Sequence, residues 1–270
     1  MLVLRRVNIK ETPVLHASNL LRWLDGTSAP DLLPASMARI ERPLQVDFSA
    51  RPRDLQWLHK PGYTALWRKP TVDIVVGEAT QAQRARPVLP SFRVAGQVSD
   101  PHGIYHPRPF DLTLGEGGGH ALVLYPSPLG TRFGTGGGVL GAVQFDGGLD
   151  PALANRPAAW ALLELAVTVS ATDVRRFRAQ ADGQGDFRLS LWRLPPLPQG
   201  STAYAAQLTL SAAATATAAI PIDPDDLGPA VLGPPGGGDF SPAVPLAIVP
   251  GESLRLSTSG RRVLAIRPAP

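Results

Sequence analysis

Apolar and polar residues alternate in short runs along much of this chain. Leu44, Val46 and Phe48 alternate with Gln45 and Asp47, and Phe187, Leu189 and Leu191 alternate with Asp186, Arg188 and Ser190. Phe92, Val94, Gly96 and Val98 fall on one face of a third run. A two-residue period sends successive side chains to opposite faces of an extended backbone, so each run predicts a half-buried β-strand. Strands are also predicted over residues 2–9, 72–76, 110–114, 120–125, 139–145, 204–210, 246–249, 254–257 and 263–266. Residues 161–169 are almost continuously apolar, which predicts a strand covered on both faces. Ser18 is placed to cap a short helix over residues 19–24, which Asp25-Gly26 stops.

Turn signals punctuate these runs. Asp182-Gly183-Gln184-Gly185 tolerates positive φ and predicts a tight hairpin. Asp100-Pro101-His102-Gly103 and Ser259-Gly260-Arg261 predict turns. The glycines of residues 115–119 suit a hairpin tip, and a second glycine cluster at 131–138 leads into the central run. Residues 212–219 alternate Ala and Thr and read as a weak strand or a loop. Residues 222–242, rich in Pro, Gly and Asp, read as a long surface loop. Polar residues 81–86, followed by Pro87 and Pro90, read as a linker.

Composition agrees with this picture. The 27 Gly and 29 Pro make about a fifth of the 270 residues, against about 12% in average proteins. That excess favours short strands and many turns over long helices. The expected fold is all-β, with a β-sandwich centre, additional short strands and at most one or two short helices. Four segments are expected: an N-terminal attachment region at 1–88, a β-rich segment at 89–138, a sandwich at 139–220, and a loop with C-terminal strands at 221–270. Val94-Ala95-Gly96-Gln97-Val98 and Val139-Leu140-Gly141-Ala142-Val143 each centre a Gly between apolar residues, as two related sandwich openings do.

Charge and chemistry narrow the function classes. The net charge of +4 comes mostly from dispersed Arg rather than a basic stripe, so nucleic acid is not an expected partner. There is no cysteine, which removes disulfides, thiolate metal sites and Cys nucleophiles. Residues 1–6 lack the long apolar core of a secretory signal, and no run is long enough to cross a membrane as a helix. Synthesis and folding in the cytoplasm are therefore expected. Residues 134–138 lack the Gly-Lys-Ser/Thr ending of a phosphate loop, and neither a Gly-x-Ser-x-Gly elbow nor a His-Glu-x-x-His pair occurs. Asp223-Pro224-Asp225-Asp226 offers carboxylates to a hard cation without the EF-hand spacing, and a solvated loop is the expectation. Trp57, Tyr63 and Trp67 lie in Pro- and Gly-interrupted sequence and serve either as core fillers beneath a loop or as interface anchors.

The central stretch opens on the apolar-Gly-apolar run at Gly141 and steps through Pro157 and Ala161 into a long strand. It then turns at Asp182-Gly183-Gln184-Gly185-Asp186-Phe187 and closes with Leu194-Pro195 and a strand at Tyr204. Over residues 139–212 this order resembles the transthyretin-like (prealbumin-like), or carboxypeptidase regulatory-like, β-sandwich family, which includes the Cna B-type repeats. It departs from the pattern at Ala181, where the family often has Thr, and in the inserted Pro195-Pro196-Leu197-Pro198. The resemblance implies a module that spaces, anchors or assembles other proteins; with the catalytic and metal signatures missing, no cofactor and no metal are expected.

Together with the missing export signal, this leads to the expectation of a non-enzymatic structural component of a virion: a phage tail or phage-tail-like contractile particle. There it would serve as a baseplate or tail adaptor or as a decoration. Its partners would be other structural proteins of a large assembly, with homo-oligomers inside it, and Trp57, Tyr63 and Trp67 would be the contact anchors. The alternative is a carbohydrate- or surface-binding sandwich module. A third reading is an intradiol dioxygenase-like iron enzyme, a related branch that binds iron through Tyr and His. It would have to draw on His102, Tyr105 and His106, which are expected instead to form a Pro-restrained turn with exposed histidines.

Overall fold

The computed structural model describes residues 19–29, 31–68, 91–115, 118–148 and 150–269. The strands expected at 2–9 and 72–76, the cap at Ser18 and the linker at 81–86 lie outside the described residues. The described chain is almost entirely β, as two face-to-face sandwiches in succession.

The first sandwich uses β1 (Asn19–Asp25), β2 (Gln45–Ala50), β3 (Leu55–Lys60), β4 (Tyr63–Arg68), β5 (Phe92–Ser99), β6 (Arg108–Leu114) and β7 (Gly119–Leu124). One sheet runs β3-β4-β1-β7 and the other β2-β5-β6. Leu21, Trp23, Leu55 and Leu66 from the first meet Val94, Val98, Phe110 and Leu114 from the second in one core. Residues 19–68 and 91–125 thus contribute to the same sandwich.

Two expectations change here. Residues 19–24 form a strand, not a helix. Leu21 and Trp23 face the core while Leu24 packs with Ala29 and Met37 beneath the following loop, so both faces carry apolar residues and the alternation is hidden. The glycines at 115–119 do not make a hairpin tip. β6 pairs with β5 and β7 pairs in parallel with β1, so the segment carries the chain from one sheet to the other.

The second sandwich contains β8 (Gly138–Phe145), β9 (Leu162–Thr168), β10 (Val174–Gln180), β11 (Asp186–Ser190), β12 (Tyr204–Ala212), β13 (Gly228–Leu232), β14 (Val244–Ile248), β15 (Ser253–Leu256) and β16 (Leu264–Pro268). Strands β10-β9-β12-β14 line one side and β11-β8-β15 the other, and the β13–β16 pair joins them. Phe145, Phe177 and Phe187 are almost fully buried between them. Each such ring contributes about 1.5–3 kcal/mol of transfer free energy. On β12 the alternation is complete: Tyr204, Ala206, Leu208 and Leu210 point inward, and Ala205, Gln207 and Thr209 outward.

Three further expectations are corrected in this sandwich. β9 is fully buried on one face and only partly on the other: Leu163, Leu165 and Val167 are buried, while the half-buried opposite face carries Glu164, which pairs with Arg176 and Arg178. The turn at 182–185 closes through Asp182 N–H donating to Asp186 O, but its flanking strands then separate to different ladders, β10 onto β9 and β11 onto β8. It is a corner between sheets. Asp182 Oδ1 accepts from the N–H groups of Gln184 (2.8 Å) and Asp186 (3.0 Å), and Gly185 takes φ +82°. The stretch 222–242 is not all loop, because β13 runs through it and pairs with both β12 and β16.

The two apolar-Gly-apolar runs, on β5 and β8, share a local device. Gly96 lies opposite Phe110 and Gly141 opposite Phe187, and in each case the ring sits within reach of the missing Cβ. A side chain at either glycine would collide with a backbone carbonyl, Asp47 at Gly96 and Leu256 at Gly141, and would crowd that ring.

Candidate interaction surface

The expected anchors Trp57, Tyr63 and Trp67 do not lie in irregular chain. They lie on the β3–β4 hairpin, whose register pairs Trp57 with Leu66, Tyr63 with Lys60 and Trp67 with Gln56. Directly opposed residues share a face. Leu66 is fully buried, so Trp57 points toward the core side, whereas Tyr63 and Trp67 lie on the outer face with Leu58 and Ala65. The structure therefore separates the three aromatics instead of gathering them.

Trp57 ends an aromatic row. Trp23 lies 6.3 Å from Phe110, Phe110 lies 5.9 Å from Phe48, and Phe48 meets Trp57 edge-on at 5.5 Å. The row runs from the fully buried Trp23 to Trp57, which is 41% exposed. The guanidinium of Arg51 sits 4.1 Å from the Trp57 ring centre and covers part of its face. Next along the strand, Leu58 is 46% exposed on the opposite face. Among the described residues β3 pairs with β4 alone, so it is an edge strand. Arg51, Arg53 and Lys60 make this edge basic, since the nearby Asp54 carboxylate is taken by Arg68 at 2.8 Å.

The residues weighed for iron engage three different neighbours. His102 is exposed in its turn, and the Tyr105 hydroxyl donates to the Asp25 carboxylate at 3.0 Å. Burial and that carboxylate push the Tyr105 phenol above its ordinary range. His106 is not exposed as expected but buried, with its ring edge-on to Trp160 at 5.6 Å. Its Nε2 lies 3.1 Å from the Gln180 carbonyl, which only accepts, so Nε2 carries the proton. Burial pushes the His106 pKa down to about 4. Among the described residues no three His, Cys, Asp or Glu side chains gather in a metal-holding arrangement.

Asp223 and Asp225 are likewise not simply solvated. The buried Arg108 on β6 donates to Asp223 at 2.7 Å, to Asp225 at 2.6 Å and to the Val123 carbonyl at 2.7 Å. Asp223 caps its own short turn by accepting from the Asp225 N–H, and burial raises its carboxyl pKa despite the arginine. His106 and Arg108 thus reach from the first sandwich to Gln180, Trp160, Asp223 and Asp225 of the second. Trp160 is held in the left-handed region at φ +62°, which costs a bulky residue on the order of 1–3 kcal/mol. Three bonds hold it there: its N–H to Asp182 O, Gln180 Nε2 to its carbonyl, and its indole N–H to Thr217 O. Sequence reasoning missed this seam. The positive φ of a Trp and the pairing of Arg108 with residues 115 and 117 positions away leave no local signal.

No protein-family model, curated protein or solved structure matches the chain. Its functional reading therefore rests on its own geometry. Among the described residues no helix is long and apolar enough to cross a membrane.

Proposed function

We propose that this chain is a non-enzymatic assembly module that docks to a structural partner through the β3 edge. The observation that carries the reading is the exposure of Trp57 and Leu58 on opposite faces of one edge strand. An added strand extends a sheet through main-chain hydrogen bonds, and side chains on both faces then clasp it. The occupant is an extended, acidic segment of another protein, because Arg51, Arg53 and Lys60 surround the edge. Antiparallel self-pairing centred on Trp57 and Leu58 would set Lys60 of each copy beside Leu55 of the other, close to Arg53, and like charges oppose that arrangement.

The buried polar groups support the same reading. His106, Arg108, Gln180 and Asp223 are used in joining the two sandwiches, which makes a stiff spacer. The finer assignment, a baseplate or tail adaptor of a phage-tail-like particle, rests on the resemblance of residues 139–212 to assembly sandwiches.

The test is mass spectrometry of density-gradient fractions from the lysed source culture, with the wild-type chain and with Leu58→Glu. The wild type is expected in a dense particle fraction beside other structural proteins. The variant, with its folded β signal intact, is expected in the light fractions. Wild type confined to the light fractions, a variant that still sediments with particles, or a discrete homodimer through β3 overturns the docking assignment.

A further inference from the structure

A second feature lies in the second sandwich, beside the ends of β8 and β16 and the β15–β16 turn. Asp146, just past β8, is nearly buried, with its side chain 11% exposed. Arg267 donates to its Oδ2 through Nε at 2.8 Å and Nη2 at 2.6 Å, and Arg261 donates to its Oδ1. Arg267 also stacks on Phe240, with its guanidinium carbon 3.9 Å from the ring centre. One carboxylate therefore orients two arginines, and a third, Arg262, stands beside them with no ion pair among the described residues.

Asp146, Arg261 and Arg262 wall an open cleft of about 600 Å³, within the range of small-molecule sites. Gln144, Asn155 and the Gly147-Gly148 backbone line it with the arginines. Asn155 sits in the left-handed region at φ +60°, which Asn tolerates, and it is exposed in the cleft. A smaller apolar pocket of about 250 Å³, walled by Phe145, Leu153, Ile266 and Pro268, shares Asp146 and Gly147 with it.

A purely structural role accounts for Arg267, which ties β16 to the end of β8. It does not account for Arg262, nor for the donors of Arg261 left over after its bond to Asp146, since a guanidinium has five N–H groups. Guanidinium forks match the two-oxygen edge of a carboxylate or phosphate. The side-chain amides of Gln144 and Asn155 both donate and accept, as vicinal hydroxyls require.

We infer that this cleft binds an acidic saccharide, with the oxyanion on Arg261 and Arg262 and the ring hydroxyls on Gln144 and Asn155. The site is separate from the β3 edge, since its lining residues all belong to the other sandwich.

Calorimetric titration of the full chain tests it with three probes: a glucuronate-ended disaccharide, glucose 6-phosphate and a neutral glucose disaccharide. One or both acidic probes are expected to bind, and the neutral one is not. Binding of only the uronate identifies a carboxylate ligand, and binding of only the phosphate identifies a phosphorylated sugar. Arg262→Gln, at an exposed position, is expected to weaken the acidic probe about tenfold or more, the loss of a charge-assisted hydrogen bond. Absence of binding by both acids, equal binding of the neutral disaccharide, or unchanged affinity of Arg262→Gln overturns the assignment.

Discussion

Acid should loosen the seam between the sandwiches through one histidine. His106 is buried, its Nε2–H is committed to the Gln180 carbonyl, and its ring abuts Trp160, so a second proton would place an uncompensated charge in an apolar site. Its pKa near 4 lies well below the 6.5 of an exposed histidine. The unfolded chain therefore takes up the proton first as pH falls. The neutral imidazole's contribution is complete above pH 6.5 and is lost as pH drops through that window toward 4. Linkage puts the loss at about 2 kcal/mol between pH 7 and pH 5, and about 3 kcal/mol by pH 4. Carboxylates titrate over the lower part of the same range. Arginine contacts hold Asp146 and Glu164 low against the opposing effect of burial, while burial raises Asp223. The measurement is therefore a difference: urea unfolding of wild type and His106→Gln at pH 7, 6, 5 and 4.5. The glutamine variant, which keeps a donor for Gln180 O, should be less stable than wild type at pH 7 and converge on it by pH 5. Parallel stability curves for the two proteins, within about 0.5 kcal/mol across the range, would refute the burial argument.

The remaining predictions concern packing and pairing. Arg108→Met should cost about 3 kcal/mol because Asp223 is left partly buried beside a neutral side chain, whereas Asp225→Asn, at a carboxylate 83% exposed, should cost less than about 1 kcal/mol. Urea midpoints of the two variants should differ accordingly. Gly185→Ala should lower stability by about 1–3 kcal/mol, since the new Cβ would lie 2.4 Å from the Val143 carbonyl at a φ of +82°. A thermal melt within a degree of wild type would contradict it. Phe187→Ala, removing a ring almost fully buried opposite Gly141, should cost about 3–5 kcal/mol in the same urea assay.

The element map shows where local pattern suffices. β5 and β12 each bury one face cleanly, and their two-residue period is visible in the sequence. β13 was missed because it buries only Ala230 and Leu232 and starts with Gly228-Pro229, yet it pairs on both sides. β3 and β4 look irregular in sequence because Pro61-Gly62, the turn that joins them, resembles an interruption. Of the candidate site, Trp57, Tyr63 and Trp67 were visible as large aromatics. Their division between two faces depends on register, which cross-strand pairing sets.

By itself the sequence determined an all-β chain, because alternating apolar residues between abundant Gly and Pro can bury a face only as short strands. It also determined that the chain turns at Asp182–Gly185, where the Asx bonding is local, but not that the turn is a corner between ladders. Only the tertiary structure decided that two sandwiches form and which ladder each strand joins. It alone brought His106, Arg108, Trp160 and Asp223 into one seam, and Asp146, Arg261 and Arg262 into one cleft. Contacts between residues more than a hundred positions apart leave no periodic trace in the chain. They are set by how the faces pack, not by any residue's neighbours in sequence.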